Sequence, residues 1–120
     1  MLVQAQVVEW LRELHYPAGD VFAVRLSLEE GLMNAIKHGN CRDATKSVRV
    51  LCEIDDARVS LEIEDQGLGF NPATIPDPLA EENLDQPSGR GVFLMRQYMS
   101  RVEYRDGGRL LVLEKRRSIE

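Results

Sequence analysis

At 120 residues the chain has room for one hydrophobic core and not two, and a hydrophobic fraction of 43% is ordinary for a globular domain. A net charge of -5 argues against a general nucleic-acid binder, and no apolar run reaches the length of a membrane span. Cys41 and Cys52 fit neither a zinc site nor a disulfide framework, and the N-terminus lacks the pattern of a signal peptide. A single soluble, cytoplasmic domain over 1–120 is expected.

Residues 2–14 place Leu2, Val3, Val7, Leu11 and Leu14 on one helical stripe, with Trp10 as a packing residue, and Tyr16-Pro17-Ala18-Gly19 breaks that helix. Asp20 is expected to cap a second helix that runs to about Lys37, with Val21, Val24, Leu28, Leu32, Ala35 and Ile36 inward. Gly39-Asn40 tolerates the left-handed geometry that ends many helices. Two strands follow. Val48, Val50, Cys52 and Ile54 alternate with Arg49, Leu51 and Glu53, Asp55-Asp56-Ala57 turns the chain, and Val59, Leu61 and Ile63 alternate with Ser60, Glu62 and Glu64. The period of two puts Asp65 on the buried phase, where an unpaired carboxylate is costly.

Residues 70–88 have neither period and hold four of the five prolines. Asp77, Glu81, Glu82 and Asp85 stand there without a Lys or Arg. A connection this long in a small domain is usually functional or disordered, and mobility without ligand is expected. Gly91 is read as opening a helix to about Met99, with Val92, Met95 and Met99 inward. Strands near 101–105 and 109–115 are joined by Asp106-Gly107-Gly108, a hairpin signal. Lys115-Arg116-Arg117 reads as a solvated strand end. The order helix, helix, hairpin, long loop, helix, hairpin predicts an α+β fold: a two-layer sandwich with a mixed, mostly antiparallel sheet and helices on one face.

Three motifs carry chemistry. Glu30, Asn34 and His38 are spaced i, i+4, i+8 and so share a helix face. An acid and an amide there could activate a hydroxyl and hold a divalent cation, although alone they equally describe the polar edge of an amphipathic helix. Asp65-Gln66-Gly67-Leu68-Gly69 joins a buried acceptor to two glycines that let a base and sugar approach the backbone. Gly89-Arg90-Gly91 at a helix start offers free N–H groups to phosphate. No Gly-Lys-Ser/Thr follows, so it is not a Walker motif. His15, at a helix end, is read as structural.

With these motifs in this order, the chain resembles the GHKL ATP-binding superfamily, and within it the anti-sigma factor serine/threonine kinases. Glu30-x-x-x-Asn34-Ala35-x-x-His38-Gly39 is similar to its N box. Asp65-x-Gly67-x-Gly69-Phe70 and Gly89-x-Gly91-x-x-Leu94 are similar to its two glycine boxes. The resemblance implies ATP and Mg²⁺ as ligands, with Glu30 as general base, Asn34 on the metal, and Asp65 accepting from the adenine amine. Gly67 and Gly69 would shape the base pocket, 70–88 would be the ATP lid, and Gly89 and Gly91 would face the phosphates. His38, Phe70 and Val92 are placed beside the nucleotide, and Arg90 could touch phosphate or a partner. The implied partners are a STAS-type anti-sigma antagonist, a sigma factor and a second copy in a homodimer, with no nucleic acid and no membrane. A nucleotide-dependent binding module and a stand-alone ATPase are the alternatives. The acid at Glu30 favours a serine or water acceptor over an imidazole. Two features depart from the kinase pattern: the chain begins inside the first helix, where members often have a preceding strand, and Arg109 stands where they often carry Thr.

Overall fold

The computed structural model describes residues 3–39, 45–67 and 87–119, the side chains of 38, 39 and 87–90 excepted. Leu2, Asn40, Cys41, Gly69, Phe70 and the lid segment 70–86 lie outside the described residues. The elements are α1 (Val3–Glu13), α2 (Ala18–Asn34), a π-helical turn (Ala35–Gly39), β1 (Arg49–Ile54), β2 (Arg58–Glu64), α3 (Pro87–Tyr98), β3 (Arg101–Arg105), a 3-10 turn (Asp106–Gly108) and β4 (Leu110–Arg116).

The strands form one sheet in the order β1-β2-β4-β3. Both expected hairpins are present, and β4 lies beside β2, setting Leu61 opposite Leu113 and Ile63 opposite Leu111. The sequence allows a mixed sheet; every pairing among the described strands is antiparallel. Alternation explains the layering. Val59, Leu61, Ile63, Leu111 and Leu113 are at most 3% exposed and pack beneath Val7, Leu11, Val24, Leu28, Val92 and Met95 of the three helices. Each such aliphatic contributes about 1.5–3 kcal/mol on full burial. The opposite face carries Arg49, Glu62, Glu64, Glu103 and Arg105, and no helix covers it among the described residues. Val112, buried on that face, lies between Glu62 and Glu103 in the register, whose methylene stems can cover it. No helix among the described residues is long and apolar enough to cross a membrane.

Several expectations are corrected. Asp20 does not cap α2; Pro17 holds that position, and Asp20 is buried in the first turn. Its carboxylate accepts from Ser118 N at 2.8 Å and Ser118 Oγ at 2.6 Å. The basic tail is likewise not simply solvated. Lys115 Nζ lies 3.8 Å from Asp20, and Arg117 donates to the carbonyls of Leu14 and His15 and covers the Tyr16 ring at 4.6 Å. On α1 the buried stripe is Val7, Val8 and Leu11, whereas Val3 and Trp10 are exposed. Ile36 is exposed too, because the π turn rotates it off the inward stripe. Finally, α3 begins at Pro87, four residues before Gly91, since proline suits a first helical position whose N–H would go unpaired.

Candidate functional site

α2 can lie close to the sheet because residue 31 is glycine. A Cβ there would stand 2.7 Å from Ile63 Cδ1 and 2.9 Å from Leu111 Cδ2. This approach brings Asn34 and Asp65, from the first two motifs, to one small cavity at the C-terminal end of β2, lined also by Ala35, Tyr104 and Arg109. Glu30 lies one turn before Asn34 on the same face. At Ala35 the helix widens into its π turn, an irregularity frequent at functional sites. The His38 side chain lies outside the described residues.

The third motif meets the first. With Pro87 as the first helical residue, the N–H groups that helix geometry leaves free inside the helix are those of Ser88 and Gly89. Gly91 is therefore in the second turn. A Cβ on Gly91 would meet Glu30 Oε2 at 2.7 Å and Asn34 Nδ2 at 3.3 Å. The α3 backbone thus packs directly on the acid and the amide. Val92 is 2% exposed and packs in the core.

Asp65 is 7% exposed, as its phase on β2 requires. Its Oδ1 accepts from Gly67 N at 2.8 Å, which gives Gly67 a local role in fixing the carboxylate. Its backbone N–H donates to Arg109 O at 2.9 Å, tying the end of β2 to the β3-β4 turn. Its Oδ2 accepts no hydrogen bond from the described residues. Burial raises the carboxyl's pKa, and the Gly67 N–H and the Arg109 guanidinium pull it back in part.

The sequence does not single out Tyr104, and it marks Arg109 only as a departure from the kinase pattern. Tyr104 points inward because it shares the β3 phase of Val102, and burial pushes its hydroxyl up to about 12, the Asn34 side chain beside it acting in the opposite direction. Arg109 lines the cavity and pairs with Asp106 at 3.0 Å.

The donor set fits a magnesium nucleotide. Mg²⁺ takes few protein ligands beside phosphate oxygens, and Asn34 offers an amide oxygen on the cavity. Asn34 Nδ2 is buried and makes no hydrogen bond of ordinary geometry among the described residues, the Tyr104 hydroxyl being the polar group beside it. The cavity itself is about 10 Å³, space for about one water.

Comparison with known proteins agrees with this geometry. Residues 2–115 match the family described as the histidine kinase-like ATPase domain. The chain is 31% identical over 96 residues to the serine/threonine-protein kinase BtrW of Bordetella bronchiseptica, covering 77% of this chain and 68% of that protein. It is 27% identical over 121 aligned positions to an anti-sigma F factor of Clostridium novyi, covering 95% and 84% of the two chains. An anti-sigma F factor of Clostridium perfringens is 25% identical over 118 residues, covering 94% and 84%. Because the match spans nearly the whole chain and takes in all three motifs, the protein belongs to the histidine kinase-like ATPase domain family, the GHKL group that its motifs resemble.

Proposed function

We propose that this protein binds Mg-ATP and transfers the γ-phosphoryl group to a serine or threonine of a small STAS-type antagonist protein, acting as an anti-sigma regulatory kinase in the cytoplasm. The observation that carries the reading is the packing of Gly91 on Glu30 and Asn34, with Asn34 and Asp65 on one cavity. Base, metal ligand and adenine acceptor then belong to one site. The names of the kinase and anti-sigma relatives support the choice of acceptor and partner.

In this mechanism Asp65 accepts from the adenine amine, and Gly67 holds that carboxylate in place. Asn34 holds Mg²⁺, which would neutralise charge on the phosphates. The free N–H groups at the start of α3, with Gly89 and Gly91, face the phosphate oxygens. Glu30 takes the proton of the attacking hydroxyl as its oxygen bonds to the γ-phosphorus and ADP leaves. Positioning and charge neutralisation supply most of what phosphoryl transfer needs. Released from its antagonist, the protein would hold a sigma factor, and it would do so as a homodimer.

Phosphate transfer from labelled ATP to a serine-bearing antagonist tests this. Glu30→Ala is expected to slow transfer by about 10²–10⁴-fold while ATP affinity stays within a few-fold of the parent. Transfer undiminished in the variant would remove Glu30 as the base. The alternative reading is a nucleotide-dependent protein-binding module in which bound nucleotide sets the choice of partner. That reading predicts partner regulation unchanged by Glu30→Ala. Release of free phosphate with no protein acceptor would instead mark a stand-alone ATPase.

A further inference from the structure

Tyr104 reaches the site along one row of the sheet. It stands opposite Leu111 of β4, and Leu111 stands opposite Ile63 of β2. Gly31 of α2 rests on the Ile63 and Leu111 side chains of that row. Asn34 follows about one helical turn later on the same face. The close approach that glycine permits therefore brings the Asn34 amide to the cavity that Tyr104 also lines.

The ring of Tyr104 packs against the core beside Val102, and a phenylalanine would fill the same space. The hydroxyl is thus an added polar group in the interior, where shutting such an atom away from water costs free energy unless it is paired. Buried tyrosine hydroxyls usually have a partner for this reason. The Tyr104 hydroxyl and Asn34 Nδ2 are both closed to solvent.

The amide has a direction. Burial raises the pKa of the hydroxyl, and the Asn34 side chain opposes that rise. An amide does so by turning its N–H groups to the phenol, because a donor favours the phenolate and an acceptor does not. The α3 backbone confines the same nitrogen from another side, since a Cβ on Gly91 would stand 3.3 Å from Nδ2. With the nitrogen held between Tyr104 and α3, Oδ1 is the amide atom left to a cation. An amide turned the other way would present N–H groups, which are donors only and bind no metal.

We propose that Tyr104 is a positioning residue for magnesium: its hydroxyl takes the N–H of the Asn34 amide and so sets Oδ1 of Asn34 toward the cation. Tyr104 acts through Asn34 and is not itself a ligand. The inference rests on the reading of Asn34 as the Mg²⁺ ligand and deepens it. Groups that orient a metal ligand in this way typically contribute about ten- to a hundredfold to metal affinity.

The test is calorimetric titration of the whole chain with ATP, once in Mg²⁺ and once in EDTA. The ratio of the two affinities reads the metal alone. Tyr104→Phe keeps the ring and removes the hydroxyl. It is expected to lower the ratio by at least about tenfold and to leave the affinity in EDTA unchanged. Asn34→Ala is expected to abolish the Mg²⁺ effect. The double variant should then behave as Asn34→Ala alone, since residues acting through one contact are not additive. Thermal melting of the nucleotide-free variants reports their folding, and a purely structural hydroxyl would move the melt and not the ratio. A ratio that Tyr104→Phe leaves in place, while Asn34→Ala abolishes the Mg²⁺ effect, overturns the positioning role and leaves Asn34 as the ligand. Equal losses in Mg²⁺ and in EDTA overturn it too, because the hydroxyl would then serve the nucleotide. A ratio that Asn34→Ala leaves in place overturns both readings.

Discussion

Asp65 is held where its charge is disfavoured. Desolvation raises its pKa from the ordinary 3.8, and the hydrogen bond from Gly67 and the nearby Arg109 only partly oppose the rise. The sign follows from linkage. A carboxyl whose folded pKa is raised contributes stability that is fully present below its unfolded pKa and lost as pH rises through the folded value. The fold therefore loses this contribution as pH rises through the folded value. Asp65→Asn, which keeps an acceptor for Gly67 N–H, is expected to raise the melting temperature of the nucleotide-free protein at pH 7 by a few degrees. The gain should disappear as pH falls below 3.8, where the parent carboxyl is protonated in both states. Thermal melts of the two proteins across pH check this, and a variant less stable than the parent at pH 7 would contradict it. Stability given up at a residue is a familiar trade-off where that residue serves a binding site, the role proposed for Asp65.

At the scale of elements, α2 is the part that assembles the site, and Gly31 sets its distance from the sheet. Gly31→Ala would drive a methyl group against Ile63 and Leu111, both buried in the core. Overpacking of this kind costs about 1–3 kcal/mol, more than the gain in helix propensity of up to about 1 kcal/mol. Denaturant unfolding is expected to show a net loss, and an unchanged midpoint would mean that α2 moves freely on the sheet. The elements themselves were largely legible because their signals are local. The alternation of Val59, Leu61 and Ile63 placed β2 and carried Asp65 into the interior, and Asp106-Gly107-Gly108 marked the second hairpin. The start of α3 was misplaced although Pro87 marks it, since the proline was read with its loop. The π turn at Ala35–Gly39 has no local signature in Ala-Ile-Lys-His-Gly, and it turns Ile36 off the face that a regular helix would give it. Asp20 was read as a cap because its actual partner, Ser118, is 98 residues away.

At the scale of the molecule, three motifs far apart in sequence converge only through the sandwich. Their order was visible in the chain and identified the family; that Gly91 rests on Glu30, or that Tyr104 closes the cavity beside Asn34, depends on how β3 and α3 pack and could not be read from spacing. The net charge of -5 adds no general attraction for a polyanion, so nucleotide affinity must come from this local set of donors and from Asp65. Calorimetric titration of the whole chain with ATP in Mg²⁺, run beside Asp65→Asn, tests that most directly. The parent is expected to bind, and the folded variant to lose about ten- to a hundredfold in affinity, the worth of a hydrogen bond to a charged group. Equal binding by both proteins, or no binding by a folded parent, would contradict an adenine site at Asp65.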